Sequence, residues 1–313
     1  MCTASLAIGY LLRHLHDIQI HVQYPSQQSR DPCFFAFATL TLFDRHPALI
    51  LSSMPLLRVF RTRGLPILQQ LQYEEAILRA DTGNWLIVND GCQKPSIVLG
   101  ISGDPEKLTH TDKVKAAGVQ LLKRFSGGGT VVVDSNTVFS TLIFEQSSLP
   151  DVDAFPNSIM EFTGELYSDV FNTLERNPNK VCRTNRNEFT TQQHLEFKLQ
   201  QNDYVFGDRK VGGNAQAITK QRWLHHTSFL WDFKRANMAL LKEPSRRPEY
   251  RGTRSHTSFL CPLASLGFQR QDFIEGIEDA FIARGFDSQL VSMLEMNDIL
   301  KRDHLKVTRE VQL

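Results

Sequence analysis

The chain has 313 residues, 41% of them hydrophobic and 22% charged, with a formal net charge of +1. That length holds one large domain or two modest ones with a sizeable core, and the near-neutral charge lacks the basic excess that nucleic-acid binding brings. The five cysteines, Cys2, Cys33, Cys92, Cys182 and Cys261, are far apart and never spaced C-x-x-C; neither a disulfide framework nor a zinc site is implied, and a reducing compartment fits.

Residues 1–54 mix short apolar runs such as Phe34-Phe35-Ala36-Phe37-Ala38 with His, Gln, Ser and Pro. No span reaches the ~18 apolar residues a membrane helix needs. Their few acids are Asp17, Asp31 and Asp44, set among several basic residues and serines. They read either as a transit peptide or as a disordered extension, and stand outside the fold. From Pro66 the apolar positions Ile67, Leu68, Leu71, Ile77 and Leu78, with Glu74, Glu75 and Arg79 between them, predict an amphipathic helix opened by proline in its first turn. Trp85–Val88 and Ser96–Ile101 predict strands around a polar turn at Asn89–Pro95. A short helix over Asp112–Gly118 precedes a strand, Val119–Arg124, that runs into three consecutive glycines.

Gly127, Gly128 and Gly129 each cost backbone entropy and offer nothing to pack, so their run marks either a close backbone approach or a tight turn without a ligand. The β-branched stretch behind them, Thr130–Val133, predicts a strand. Phosphate loops of the Walker type and G-x-G-x-x-G type instead open a helix, and neither spacing occurs in the chain. Val138–Phe144 predicts a strand paired with Thr130–Asp134 as a hairpin. Ile159–Leu174 has helical spacing and stops before Pro178, and residues 179–202 are polar enough for a surface segment.

A second patch spans Asp203–Ile218 and Trp223–Trp231, both alternating like strands. Gly207-Asp208 is expected to turn Tyr204–Phe206 back along Lys210-Val211, and Gly212-Gly213 admits a close backbone. Lys210, two residues ahead of those glycines, is either a solvated lysine or a functional one. His225 and His226 fall on opposite strand faces, so at most one faces a site; with no third ligand in view, no metal cage is expected. A short helix near Ala236–Leu241, a Pro- and Arg-rich turn over Pro244–Arg254 and a helix over Phe268–Gly285 complete the pattern. The fold class is α+β: one domain over 55–285 with a largely antiparallel sheet flanked by helices, followed by a tail over 286–313 without a separate accessory domain.

Two stretches resemble the lipoate-protein ligase and octanoyltransferase family. Arg124-Phe125-Ser126-Gly127-Gly128-Gly129-Thr130-Val131 is similar to its R-x-S-G-G-G-x-V signature. Lys210-Val211-Gly212-Gly213-Asn214-Ala215, followed by Leu224-His225-His226, resembles its K-[VI]-[SG]-G-[SN]-A segment and downstream H-H pair. The resemblance covers roughly Pro55–Leu263. The G-R-G-R-x-G-R stretch of biotin ligases is missing, which favours the lipoate branch of a fold the two groups share with class II synthetases.

The resemblance implies activation of lipoate by ATP, with Mg, to an acyl-adenylate, then transfer to a lysine. The expected partners are lipoyl carrier domains, those of 2-oxoacid dehydrogenase E2 subunits and the glycine cleavage H protein, with neither nucleic acid nor membrane. It implies Lys210 at the carboxyl–phosphate junction as a cationic group. Ser126, Gly127, Gly128 and Gly129 would hold the carboxylate or phosphate, and Arg124 would neutralise phosphate charge. Asn214, Ala215 and His226 would sit beside the adenylate. Asn202-Asp203 matches the family's N-D dipeptide near the nucleotide, with Asn187-Glu188 as a rival match. A mitochondrial location follows from where such carriers reside, with the cytoplasm as alternative.

Val133-Asp134-Ser135-Asn136 departs from the family's His-Asp-x-Gly-Asn pattern, and no accessory domain is expected, so activation of free lipoate is expected to be slow or to need a partner. Two alternatives stay open. One is a transferase working through a cysteine thioester, with Cys182 or Cys261 as nucleophile; the other is a binder that kept the pocket and lost the chemistry.

Overall fold

In a computed structural model of the protein, residues 54–176, 196–244 and 247–313 are described. The chain enters through β1 (Leu56–Gly64), and Pro66, at a φ of −55°, turns it into α1 (Ile67–Ala80). Next come β2 (Asn84–Cys92), β3 (Ser96–Leu99), the short helices α2 (Pro105–Leu108) and α3 (Thr111–Ala116), β4 (Gln120–Lys123), β5 (Val131–Val133), β6 (Thr137–Glu145) and the long α4 (Pro156–Arg176). The second half supplies β7 (Phe197–Gln200), β8 (Asp203–Phe206), β9 (Arg209–Lys210), β10 (Gly212–Ile218) and β11 (Arg222–Leu230). It continues with α5 (Arg235–Met238), α6 (His256–Phe259), α7 (Arg270–Ile282), β12 (Asp287–Leu290), α8 (Met293–Lys301) and β13 (Arg309–Glu310).

The main sheet runs β10-β11-β6-β2-β1-β12. Along β10, β11, β6 and β2 each strand is antiparallel to its neighbour, whereas β1 lies parallel to both β2 and β12. Alternation along the strands sorts side chains onto two faces. Leu57, Val59, Leu86, Val88, Leu142, Phe144 and Trp223 join Tyr167, Phe171, Phe273 and Phe281 of α4 and α7 in one core. Phe60, Trp85, Ile87, Ile143 and Leu224 face Tyr73, Ile77, Met296 and Ile299 of α1 and α8 on the other side. Because both faces are covered, β2, β6 and β11 are buried along nearly their whole length rather than at alternate positions. A smaller sheet, β13-β4-β3-β5, packs beside this one, and a three-stranded sheet joins β7, β8 and β9. The fold is thus α+β with helices flanking largely antiparallel sheets, as expected.

Four expectations need correction. The hairpin of Thr130–Asp134 with Val138–Phe144 does not form: β5 pairs with β3, while β6 pairs with β2 and β11. Asp134 makes the crossing between sheets. Its carboxylate accepts from Asn136 N at 2.8 Å and Asn237 Nδ2 at 2.9 Å, and its carbonyl accepts from Cys92 N and Thr137 N. A nine-residue apolar strand gains far more pairing and burial between two long neighbours than against the three-residue β5.

Glu74 and Glu75, read as part of the polar face of the first helix, are each 1% exposed. Glu75 accepts from Val307 N and Thr308 N, both at 2.9 Å, and from Arg79, tying down the approach to β13. The stretch 286–313, expected as a tail, lies inside the fold: β12 extends the main sheet, β13 extends the small one, and α8 covers α1. Of the segment expected to be polar surface over 179–202, Phe197–Gln200 instead form β7 with Phe197 buried; Cys182 and the Asn187-Glu188 pair lie outside the described residues.

Candidate functional site

The glycine run links β4 to β5 at the junction of the two larger sheets, and Arg124 holds it in shape. The Arg124 side chain, 3% exposed, donates from Nε and Nη2 to Gly127 O at 3.2 and 2.9 Å and from Nη2 to Gly129 O at 2.8 Å. Burial pushes its guanidinium down to about 10, against the opposing charge of Glu74, so it stays cationic near neutrality. Its donors are therefore engaged with loop carbonyls rather than free for a phosphate. The backbone is tied on both flanks as well, through Ile101 N to Ser126 O at 3.0 Å and Gly127 N to Gln216 O at 3.1 Å.

Gly128 is the tight point. Its φ is +109°, and a Cβ there would lie 2.7 Å from Arg124 Nη2 and 2.8 Å from Asn214 O. The two glycine patches seen in sequence thus meet in space, loop against β10. Of the loop donors expected to hold a ligand, the Gly127 N–H is already bonded, and neither Ser126 nor Gly127 is among the residues lining the two cavities here. Gly128 and Gly129 do line the larger one.

That cavity has a volume of about 800 Å³. Its walls carry the backbone of Gly128–Thr130 and Gly212-Gly213, the cationic side chains Lys107, Lys210, Lys242 and Arg251, and an apolar side from Met238, Leu241 and Phe259. Lys210 sits on the two-residue strand β9, whose pairing of Lys210 with Val205 follows the turn predicted at Gly207-Asp208. Lys210 Nζ lies 2.5 Å from Asp203 Oδ1, with side-chain exposures of 25% and 12%. The motif lysine and the acid of the Asn202-Asp203 dipeptide therefore form one pair on the cavity wall.

A second, narrow cavity of about 20 Å³ adjoins the first, sharing Gly129, Val131, Gly213 and Ser228 with it. Its walls are mostly apolar, from Ile67, Leu71, Val98, Val133 and Phe139, with Arg124, Asn214, Ala215 and His226 completing them. Its volume is room for about one water. His226 Nδ1 lies 2.9 Å from Glu74 Oε1 and 3.1 Å from Oε2, and that carboxylate also accepts from Gln70 Nε2 at 2.9 Å and Thr141 Oγ1 at 2.8 Å. A carboxylate only accepts, so His226 donates through Nδ1. Sequence reading missed Glu74, although Ile67, Leu71, Glu74 and Leu78 share the spacing of one helix face.

His225 lies on the opposite face, as the alternation required. Gln216 Nε2 is 3.1 Å from its Nδ1, and its Nε2 is 3.0 Å from Thr227 Oγ1, whose hydroxyl donates to Asn214 Oδ1 at 3.0 Å. Burial first, and the neighbouring His226 second, push the His225 imidazole down to about 3, so it is neutral. Both described cysteines, Cys92 and Cys261, are buried; burial pushes the Cys261 thiol up, and its side chain lines neither cavity. Among the described residues no group of three or more His, Cys, Asp and Glu side chains is placed to hold a metal.

A large glycine-lined cavity whose cations Lys107, Lys210 and Arg251 pair with Asp104, Asp203 and Glu243, next to a narrow, mostly apolar one, suits a ligand that joins a thin hydrocarbon to a phosphate-bearing head. The chain is 29% identical over 233 residues to the inactive lipoate–protein ligase 2 of Plasmodium falciparum (isolate 3D7), covering 62% of this chain and 60% of that relative's length. Among solved structures it shares its fold with a lipoate-protein ligase A bound with ATP, at a TM-score of 0.59 and 17% identity over 79% of this chain and 92% of that one. It also shares it with a bipartite lipoate protein ligase from T. acidophilum, studied with its E2 lipoyl domain, at a TM-score of 0.60 and 17% identity over 79% and 91%. Residues 66–282 match the lipoyl protein ligase A/B catalytic domain, and by that match, over more than half its length, the chain belongs to this family.

Proposed function

We propose that the chain is an ATP-dependent lipoate–protein ligase acting through a lipoyl-adenylate. The observation that carries this reading is the placement of Lys210, paired with Asp203, on the wall of the large cavity, which shares Gly129 and Gly213 with the narrow apolar one. A lipoyl chain directed into the narrow cavity leaves its carboxylate near Gly129 and Gly213, within the cationic head region. The carboxylate oxygen attacks the α-phosphorus of ATP and pyrophosphate leaves; the lysine amine of a carrier domain then attacks the acyl carbon and AMP leaves. Lys210 stabilises the charge that builds on the carboxyl–phosphate junction in both steps. The narrow cavity must widen by side-chain movement at Ile67, Leu71 or Phe139 to take the chain. A magnesium ion travelling with ATP would be held chiefly by phosphate oxygens and water.

ATP as co-substrate and an E2-type lipoyl domain as acceptor are supported by what the structural relatives were studied with. The chain spans 60% of the Plasmodium relative's length, so activity, substrate and carrier are part of this proposal. Lipoate-dependent exchange of pyrophosphate into ATP tests it. Wild type is expected to catalyse exchange, and Lys210→Ala to lose about 10²–10³-fold, the usual cost of removing one preorganised charge stabiliser. Exchange that is unchanged in Lys210→Ala would refute the role. A second reading, a binder that holds lipoyl groups without activating them, is favoured by Val133 in the place of the family histidine and by a relative named inactive. Absence of exchange together with measurable binding of lipoate would select it.

A further inference from the structure

The segment that lines the large cavity at Pro248 and Arg251 carries a residue that neither the motifs nor the comparisons single out. Tyr250 stands in the single 3₁₀ turn Glu249–Arg251 and donates its hydroxyl to Asp203 Oδ2 at 2.8 Å. The other oxygen of that carboxylate holds Lys210 Nζ at 2.5 Å. One buried carboxylate is thus divided between a phenol and the motif lysine. The Tyr250 hydroxyl remains a donor throughout the working pH range, because burial and the charge of Asp203 both push its ionisation far up.

Tyr250 is itself fixed from several sides. Its ring lies 5.3 Å from that of Phe259, and its carbonyl accepts from Arg254 Nη2. Arg254 in turn pairs with Asp208 at 2.9 Å, at the turn between β8 and β9. The segment is also joined to β9 beyond Tyr250, through Cys261 N to Lys210 O at 2.8 Å. On either side of Tyr250, Pro248 and Arg251 line the cavity, whereas Tyr250 does not. It stands behind the wall, reaching the site through Asp203 alone.

We infer that Tyr250 is the positioning residue of the Lys210–Asp203 pair: by drawing on the Asp203 carboxylate it keeps Lys210 loosely enough held to be shared with a substrate. Without the phenol, Asp203 turns its full charge on Lys210, and the ammonium is bound more firmly and yielded less readily.

The test measures the reactivity of Lys210 in the full chain, using acetylation by a succinimidyl ester followed by peptide mass spectrometry, with Lys301, whose side chain is 74% exposed, as internal reference. Tyr250→Phe is expected to slow Lys210 acetylation at least about threefold relative to Lys301, as loss of one hydrogen bond to a charged group implies. Tyr250→Leu, which also removes the ring, is expected to slow it as much. Asp203→Asn is expected to speed it, and adding Tyr250→Phe to Asp203→Asn to change nothing further. Acetylation in Tyr250→Phe equal to wild type, or equal slowing with and without Asp203, overturns the inference. The inference rests on the adenylate reading only for its kinetic arm, in which Tyr250→Phe lowers kcat for pyrophosphate exchange and leaves KM for ATP in place. Labelling needs no turnover, so a chain that forms no adenylate fails the functional proposal while the role of Tyr250 is still decided.

Discussion

Replacing Gly128 by alanine tests the packing of the loop against β10, and Gly129→Ala is its control. At Gly128 an added Cβ meets Arg124 Nη2 at 2.7 Å, Asn214 O at 2.8 Å and Ala215 Cα at 3.2 Å, on a backbone with φ of +109°. Holding a residue with a Cβ at positive φ costs about 1–2 kcal/mol, and forcing a methyl into a packed site about 1–3 kcal/mol more. The sum, about 2–5 kcal/mol, lowers the unfolding midpoint by roughly 5–15 °C for a domain of this size. At Gly129 the same methyl meets nothing within 4 Å, so stability is expected to hold within about 0.5 kcal/mol. Because Gly129 lines both cavities, its methyl should instead weaken binding of lipoate or nucleotide. Thermal unfolding followed by circular dichroism, with isothermal titration of both ligands, separates the two. Equal midpoints for the two variants would refute the clamp described for Arg124 and Asn214.

Cys261→Ala should leave acyl transfer within about twofold of wild type and reduce stability by about 1 kcal/mol through the lost buried contact, because the thiol is fully buried and lines neither cavity. Transfer abolished with ligand binding intact would favour the thioester route. His225, held near 3 in the fold against 6.5 in the unfolded chain, is neutral when native. Its contribution to stability is complete above pH about 6.5 and falls as pH drops towards 3, at up to about 1.4 kcal/mol per pH unit. Chemical denaturation of wild type and His225→Gln across that range should show the difference between them shrinking as pH falls. A constant difference would show that the imidazole titrates normally.

Helices with a clean apolar stripe and the two glycine patches were legible from residue order alone, because period and backbone freedom are local properties. Lys210 was legible through its motif, and Asp203 through its dipeptide, though not the ion pair between them. What escaped depended on competition. The hairpin at Val133–Val138 lost to longer strands whose positions no local window contains. Arg124 was read as a phosphate ligand because its charge invites one, yet carbonyls three and five residues ahead claim its donors. Tyr250 and Arg251 lay in a stretch that composition marked as a turn, and their chemistry comes from β8 and from Glu243, brought near by the fold.

The parallel pairing of β1 with β12 also bears on the order in which the protein is made. Leu57 and Val59 leave the ribosome well before the strand that seals their outer edge, Asp287–Leu290. At ordinary elongation rates the interval is roughly 10–50 s. For that time the Leu56–Val59 end of β1 keeps one open edge, the geometry that recruits foreign strands. The nascent chain therefore has most need of chaperone protection at β1, long after that strand has been synthesised, and a truncation before residue 287 should aggregate rather than merely lose a segment.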